Sequence, residues 1–152
     1  MIVQLTWPEK AAAAFIGRMR FEKSRADGRS NQHGLKAATP ELDVRSAQAE
    51  LAVAKALGVY WTMGVDTFHG PDLGSDIQVR YTRYSTGKLI LRKGDNPDHK
   101  YYLVASSRDD QYRVVGWIYG RDGMQDKWTA ALDKSRPACW AVPQQALRPV
   151  EG

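Results

Sequence analysis

The residues best suited to chemistry lie in one short segment, 71–82, with the sequence PDLGSDIQVRYT. Asp72 lies on a predicted Pro-Asp-Leu-Gly turn, and Gln78 and Arg80 follow two residues apart on a predicted strand. A carboxylate, an amide oxygen and a cation in this order could hold a divalent metal ion against a phosphodiester. In isolation, Asp72 is equally well explained as a turn residue that hydrogen-bonds its own backbone.

A second carboxylate, Glu50, lies upstream in an apolar helical segment. At about 100° per residue, Glu50 shares one helix face with Ala47, Leu51 and Ala54, and that face should pack on a sheet. An ionised carboxylate at such a position is costly unless it is paired or binds a metal ion. Two explanations stay open, namely a metal ligand or a Glu that reaches solvent or pairs with an arginine.

The strand alternation assigns the neighbouring side chains to two faces. Ile77 and Val79 should face a core, whereas Gln78 and Arg80 share the opposite face. We expect Gln78 and Arg80 to point together toward the helix that carries Glu50. This arrangement would bring all the candidate groups to one site.

Glu50, Asp72, Gln78 and Arg80 together resemble the active site of the PD-(D/E)XK nuclease superfamily. That pattern is a helical Glu, an Asp after a turn, and then an acidic residue and a Lys two apart on a strand. The resemblance covers about residues 46–149, and the short gap after Asp72 is similar to that of the mismatch-repair nicking branch. Four segments also resemble small uncharacterised members from phages or prophages: AELAVAKAL (49–57), QVRYT (78–82), VVGWI (114–118) and PACWAVP (137–143).

The resemblance implies both a fold and an activity. The expected fold is a restriction-endonuclease-like core of the α/β (α+β) class, with a central mixed, mostly antiparallel sheet flanked by helices. The expected activity is metal-dependent hydrolysis of phosphodiester bonds in DNA, with Mg²⁺ or Mn²⁺ as the cofactor. The implied metal ligands are Glu50, Asp72, Gln78 and the carbonyl of Val79, and Arg80 completes the catalytic set.

Two positions depart from the superfamily pattern. Gln78 removes one negative charge from the site, and Arg80 cannot act as a base because it stays protonated, although it can clamp a phosphate. Asp76 could supply the missing carboxylate, and His69 could shuttle a proton. The alternative is therefore a catalytically lapsed DNA-binding protein on the same fold. A third explanation is a structural domain in which Glu50 and Arg80 form a buried ion pair.

Composition is consistent with a basic globular protein of 152 residues that forms a single domain, 1–152. The formal net charge is +5 and the sequence pI is about 9.4, which suits an anionic partner such as DNA. The single cysteine excludes an internal disulfide, and no apolar run has membrane-spanning length. With no recognisable signal peptide, we expect a cytoplasmic location in a bacterium or phage-infected cell and no membrane partner, while a homodimer stays open. The candidate DNA contacts are Arg18, Arg20, Lys23, Arg25, Arg29 and Lys36.

Periodicity and turn signals predict the elements that must position these residues. Two helices come first, followed by strands and a weak helix, with a polar loop over 27–39. The predicted helices are 7–25, 40–57 and, more weakly, 122–132. The predicted strands are 59–63, 77–84, 88–92, 101–106, 112–119 and 139–142.

Overall fold

A computed structural model describes residues 1–27, 39–65, 70–130 and 138–151 of the chain. Within these ranges the protein is a mixed α+β structure with two sheets and three helices. The elements are β1 (Ile2–Gln4), α1 (Trp7–Ala26), α2 (Glu41–Leu57), β2 (Ile77–Thr82), β3 (Leu89–Arg92), β4 (Lys100–Ser106), β5 (Gln111–Tyr119), α3 (Gly120–Gly123), β6 (Thr129–Ala130) and β7 (Cys139–Val142).

Local sequence signals account for the ends of the two long helices. The Thr6 hydroxyl accepts a hydrogen bond from the Glu9 N–H, and the Glu9 carboxylate accepts one from the Thr6 N–H, which forms a capping box at the start of α1. Helix α2 ends at Gly58, whose φ of 67° lies in the left-handed region that glycine adopts readily. The two long helices also pack closely on each other at Gly17 of α1, because a Cβ at this position would lie 2.5 Å from Val44 Cα of α2.

The strands form two sheets, whereas the sequence predicted one central sheet. The first sheet has the order β1-β5-β4-β2, with β2 parallel to β4 and the other pairs antiparallel. The second sheet has the order β3-β7-β6 and is antiparallel. Because β3 belongs to the second sheet, β2 is the edge strand of the first sheet in the part of the chain that the structure describes.

Each face of the first sheet packs on a different layer. One face meets α2 through a core that includes Val53, Tyr102 and Val104. The other face meets the second sheet through a core that includes Leu89 and Leu103. The expected sheet flanked by helices is therefore found on one face only among the described residues, since the second sheet covers the face opposite α2.

Three further differences from the predicted elements concern short segments. Residues 59–63 are irregular rather than a strand, and β1 was missed because three residues carry little periodic signal. The predicted helix 122–132 is instead the end of α3, a 3₁₀ turn at Asp126–Trp128 and strand β6, and its last two residues lie outside the described ranges.

Among the helices that the structure describes, none is long and apolar enough to cross a membrane.

Candidate active site

Asp72 lies against the outer edge of β2, the edge that does not pair with β4. The N–H groups of Asp72 and Leu73 both donate to the Ile77 carbonyl, at 2.9 and 3.1 Å, so the turn folds back on the strand. The Asp72 carboxylate then accepts a hydrogen bond of 2.8 Å from the Val79 N–H. Since the N–H and C=O of one strand residue point to the same edge, the Val79 carbonyl also faces this side of the sheet.

Glu50 is held in a buried ion pair with an arginine from α1. Arg20 Nη1 lies 2.6 Å from Oε2 of Glu50, and Arg20 Nη2 lies 3.0 Å from Oε1. The Trp61 indole N–H also donates to Oε1, at 3.1 Å, and Arg20 Nε donates to the Gly64 carbonyl. The side chains of Arg20 and Glu50 are only 19% and 7% exposed. An arginine pair for Glu50 was one of the two open explanations, and the partner is Arg20.

The carboxylates of Glu50 and Asp72 influence each other electrostatically. Burial, followed by the negative charge of Glu50, raises the pKa of Asp72 to about 7. The Val79 N–H and the positive charges of Arg80 and Arg20 act in the opposite direction. Asp72 is therefore the point at which groups from α1, α2 and β2 converge.

Gln78 and Arg80 point away from α2, which corrects the predicted orientation. The register of β2 on β4 pairs Gln78 with Tyr101 and Arg80 with Leu103, whose side chains belong to the core beneath the second sheet. Val79 and its alternate neighbours face α2 instead. The alternation itself was predicted correctly, but both faces of this sheet are covered, so alternation alone could not say which layer each face meets.

Arg80 forms its own ion pair on the face opposite α2. Its Nη2 lies 2.8 Å from Oδ1 of Asp95, and its guanidinium lies 5.1 Å from the centre of the Tyr101 ring. Arg80 Nε is buried and has no hydrogen-bond partner among the described residues. The predicted buried ion pair between Glu50 and Arg80 is wrong, because each residue has a different partner.

Gln78 lies beside a histidine that the sequence did not associate with the site. Its amide nitrogen donates to the Gly70 carbonyl at 3.4 Å and lies 3.2 Å from Nδ1 of His99. Nε2 of His99 lies 3.3 Å from the Asn96 amide nitrogen. Sequence reasoning missed Arg20, Asp95 and His99 as neighbours of the motif, since each is distant along the chain and carries no local spacing signal.

The residues around Asp72 fit a small, oxygen-preferring cation. Glu50 and Asp72 supply two carboxylates, and the Val79 carbonyl faces the same strand edge. The three hydrogen bonds to Glu50 leave about one of its roughly four lone-pair positions free. Mg²⁺ commonly uses one or two carboxylates and keeps several waters. Within the described ranges, no three His, Cys, Asp or Glu residues form a metal-binding group, so water would complete the coordination.

The predicted DNA-binding cations do not form one shared surface among the described residues. Arg20 is committed to Glu50 and does not form a free contact surface. Lys23 pairs with Asp27 at 3.3 Å, and the Arg25 guanidinium lies 5.5 Å from the Phe21 ring centre. Arg18 is exposed and lines a groove between α1 and α2. Three predicted site residues lie outside the described ranges: Arg29, Lys36 and His69.

Asp76, the predicted accessory carboxylate, lies immediately before β2. Its charge acts on Tyr102, whose pKa is raised first by burial and then by Asp76. The Asp76 carbonyl also accepts a hydrogen bond of 2.7 Å from the Lys100 N–H, which ties the start of β2 to β4. These contacts give Asp76 a structural explanation that does not involve the candidate site.

In comparisons with known proteins, no family model, curated protein or solved structure matches this chain. The resemblance to the PD-(D/E)XK superfamily thus rests on the residues of this chain alone. The geometry around Asp72 is the observation from which a function can be argued.

Proposed function

We propose that this protein is a metal-dependent DNA endonuclease with a restriction-endonuclease-like core. The observation that carries the proposal is the convergence of Glu50 and Asp72, which come from a helix and a turn separated by 21 intervening residues. The charge of Glu50 helps to raise the pKa of Asp72 to about 7. A bound cation would relieve the repulsion between these two carboxylates, and perturbed carboxylates of this kind are concentrated at functional sites.

Three groups would hold Mg²⁺ or Mn²⁺ at this site: the carboxylates of Glu50 and Asp72 and the Val79 carbonyl. Gln78, the fourth ligand expected from the sequence, is left out of this proposal because its side chain lies on the opposite face of β2. When bound, such an ion supplies charge neutralisation at a nonbridging phosphate oxygen and a hydroxide nucleophile near neutral pH. Two neighbouring groups pre-organise the carboxylates. Arg20 fixes Glu50 through two hydrogen bonds, and the Val79 N–H fixes Asp72.

Arg80 would act on Asp72 through its charge. Its positive charge favours the ionised form of Asp72, although its side chain lies on the opposite face and pairs with Asp95. A phosphate clamp by Arg80 would require the guanidinium to leave Asp95. The proposed role of Arg80 is therefore to keep Asp72 available as an anion, in place of the phosphate clamp that the sequence suggested.

One observation favours a second candidate function, a lapsed nuclease that still binds DNA. Glu50 is neutralised by Arg20 and Arg80 by Asp95, so two of the four motif residues already have ion-pair partners within the chain. A site that is neutralised in this way could remain folded and bind DNA without cleaving it. If the protein binds DNA but does not cleave it in the presence of Mg²⁺ or Mn²⁺, this second function is favoured.

The deciding experiment is a cleavage panel with linear, nicked, branched and single-stranded DNA in Mg²⁺, Mn²⁺ and EDTA. We expect cleavage in Mg²⁺ or Mn²⁺ that Asp72→Asn abolishes. The matched control is Asp109→Asn, at an exposed acidic position far from the motif in the chain, which should cleave at the wild-type rate. Full activity of Asp72→Asn would overturn the site assignment.

A further inference from the structure

A row of side chains leads across the first sheet from the candidate site to an exposed cationic surface. The strand register places Val79 beside Tyr102 and Tyr102 beside Trp117. An isolated bridge then places Trp117 beside Arg148, with hydrogen bonds of 3.0 and 2.8 Å between their backbones. Directly paired residues share a sheet face, so this row lies on the face that packs against α2.

Three cations stack on two aromatic rings at the far end of this row. The Arg148 guanidinium lies 4.9 Å from the Trp117 ring centre and 5.6 Å from that of Tyr119. Arg121 lies 4.3 Å from the Tyr119 ring, and Lys100 Nζ lies 5.6 Å from the Trp117 ring. We call these five residues, Lys100, Trp117, Tyr119, Arg121 and Arg148, the cation–aromatic platform.

The platform cations are only weakly committed to acidic partners. Arg121 lies 3.4 Å from Asp98 and Arg148 lies 3.5 Å from Asp122, and the two arginine side chains are 52% and 54% exposed. Lys100 has no ion pair within the described ranges. Stacking on an aromatic ring restricts a guanidinium while leaving its N–H groups at the ring edge free to bind an oxyanion. The platform is thus pre-organised for anions, unlike Arg20, which is buried against Glu50.

The platform lies within reach of a ligand bound at the candidate site. Neighbouring strands are about 4.8 Å apart, so Trp117 and Arg148 lie about 10 and 14 Å from Val79 across the sheet. Val79 is the residue whose N–H donates to Asp72. This span corresponds to roughly three or four nucleotides of one strand at about 3.4 Å each. An extended polyanion could therefore contact both places at once.

We infer that the cation–aromatic platform binds the phosphate backbone of DNA whose scissile phosphate lies at the Glu50–Asp72 site. This inference rests on the proposed nuclease function and assigns DNA binding to the β5 side of the sheet rather than to α1. Arg121 and Arg148 each contact a phosphate, and Lys100 adds charge between them and the candidate site.

The test measures binding of a short linear DNA duplex to the full chain in EDTA, over a series of salt concentrations. The variant is Arg121→Gln with Arg148→Gln. Its slope of log affinity against log salt should be shallower than wild type by about 1.8 units, since each phosphate contact contributes about 0.9. The matched control is Arg83→Gln with Lys127→Gln, which removes two cations that also stack on aromatic rings, 5.0 and 4.7 Å away, but lie off the platform. The control should keep the wild-type slope.

One further variant makes each outcome decisive. Arg121→Lys with Arg148→Lys keeps both charges and should keep the slope, which separates lost phosphate contacts from a disturbed fold. If the salt slope becomes equally shallow in the platform and control variants, or changes in neither, the inference that the platform binds DNA is overturned. If the platform variant binds like wild type while Asp72→Asn still abolishes cleavage, the platform is wrong and the nuclease function stands. No binding of DNA by the wild-type chain would overturn both.

Discussion

Arg20 of α1 forms a two-pronged ion pair with Glu50 of α2, with Nη1 2.6 Å from Oε2 and Nη2 3.0 Å from Oε1. The pair ties the two helices together on the side that faces the first sheet. It also neutralises the one charged residue in the core that the described residues form between α2 and this sheet. The same arginine acts electrostatically on Asp72, so it is connected to both carboxylates of the candidate site.

We expect Arg20→Met to lower the free energy of unfolding by about 3 to 5 kcal/mol, because it leaves the Glu50 carboxylate buried without its cation. Adding Glu50→Gln should recover part of this loss. Chemical denaturation measures both variants. The control is Lys23→Met, in an exposed pair with Asp27 on the same helix, which should cost less than about 1 kcal/mol. If the two single variants lower the free energy of unfolding equally, the buried pair contributes no more to stability than the exposed one.

The pKa of Asp72 predicts the direction in which stability changes with pH. In the unfolded chain an Asp titrates near 3.9, whereas burial and Glu50 raise the pKa of Asp72 to about 7 in the folded protein. Between these values the folded state binds more protons, so this contribution to stability is complete below about pH 4 and is lost as the pH rises to about 7. Melting from pH 4 to 8 should show this loss in the wild-type protein but not in Asp72→Asn. Parallel pH profiles for the two proteins would contradict the assignment.

Divalent ions should raise the melting temperature of the wild-type protein above pH 7, since a ligand that binds only the folded state stabilises it. Gln78→Glu should strengthen this effect by adding a negative charge near the Asp72 turn. The effect should disappear in Asp72→Asn. Titration calorimetry should show that Gln78→Glu binds Mn²⁺ more tightly than wild type and that Asp72→Asn does not bind it. Gln145→Glu, at an exposed position, is the control for added charge and should bind Mn²⁺ like wild type.

Arg80→Lys should keep or raise cleavage activity. A lysine can still pair with Asp95, and it removes the buried Nε that lacks a hydrogen bond. Arg80→Met should instead lower both stability and metal-dependent turnover, because it removes the ion pair of the largely buried Asp95 and a cation that favours ionised Asp72. Cleavage rates and melting temperatures of the two variants provide the comparison. Equal turnover in Arg80→Lys and Arg80→Met would show that the charge at this position is irrelevant.

Local patterns were enough to predict most of the regular elements. The helical periodicity and the Gly58 stop predicted α2 to within one residue, and alternation from Ile77 predicted β2 and the separate faces of Gln78 and Val79. These features depend on interactions between residues close in the chain, so a single sequence carries them. The presence of Glu50 in an apolar helix face likewise indicated that it needs a partner, which was left open as a metal ion or an arginine.

Tertiary structure alone decided which partner each charged residue has. Glu50 meets Arg20 from 30 residues upstream, and Arg80 meets Asp95 because β3 leaves the first sheet and the second sheet covers the far face of β2. Period-two alternation defines two faces but cannot say which layer covers each one, and an ion pair between distant residues leaves no spacing signal. The sequence therefore determined that Glu50 and Asp72 are candidates for one site. Only the packing of α2 and the Asp72 turn against β2 brought the two carboxylates together.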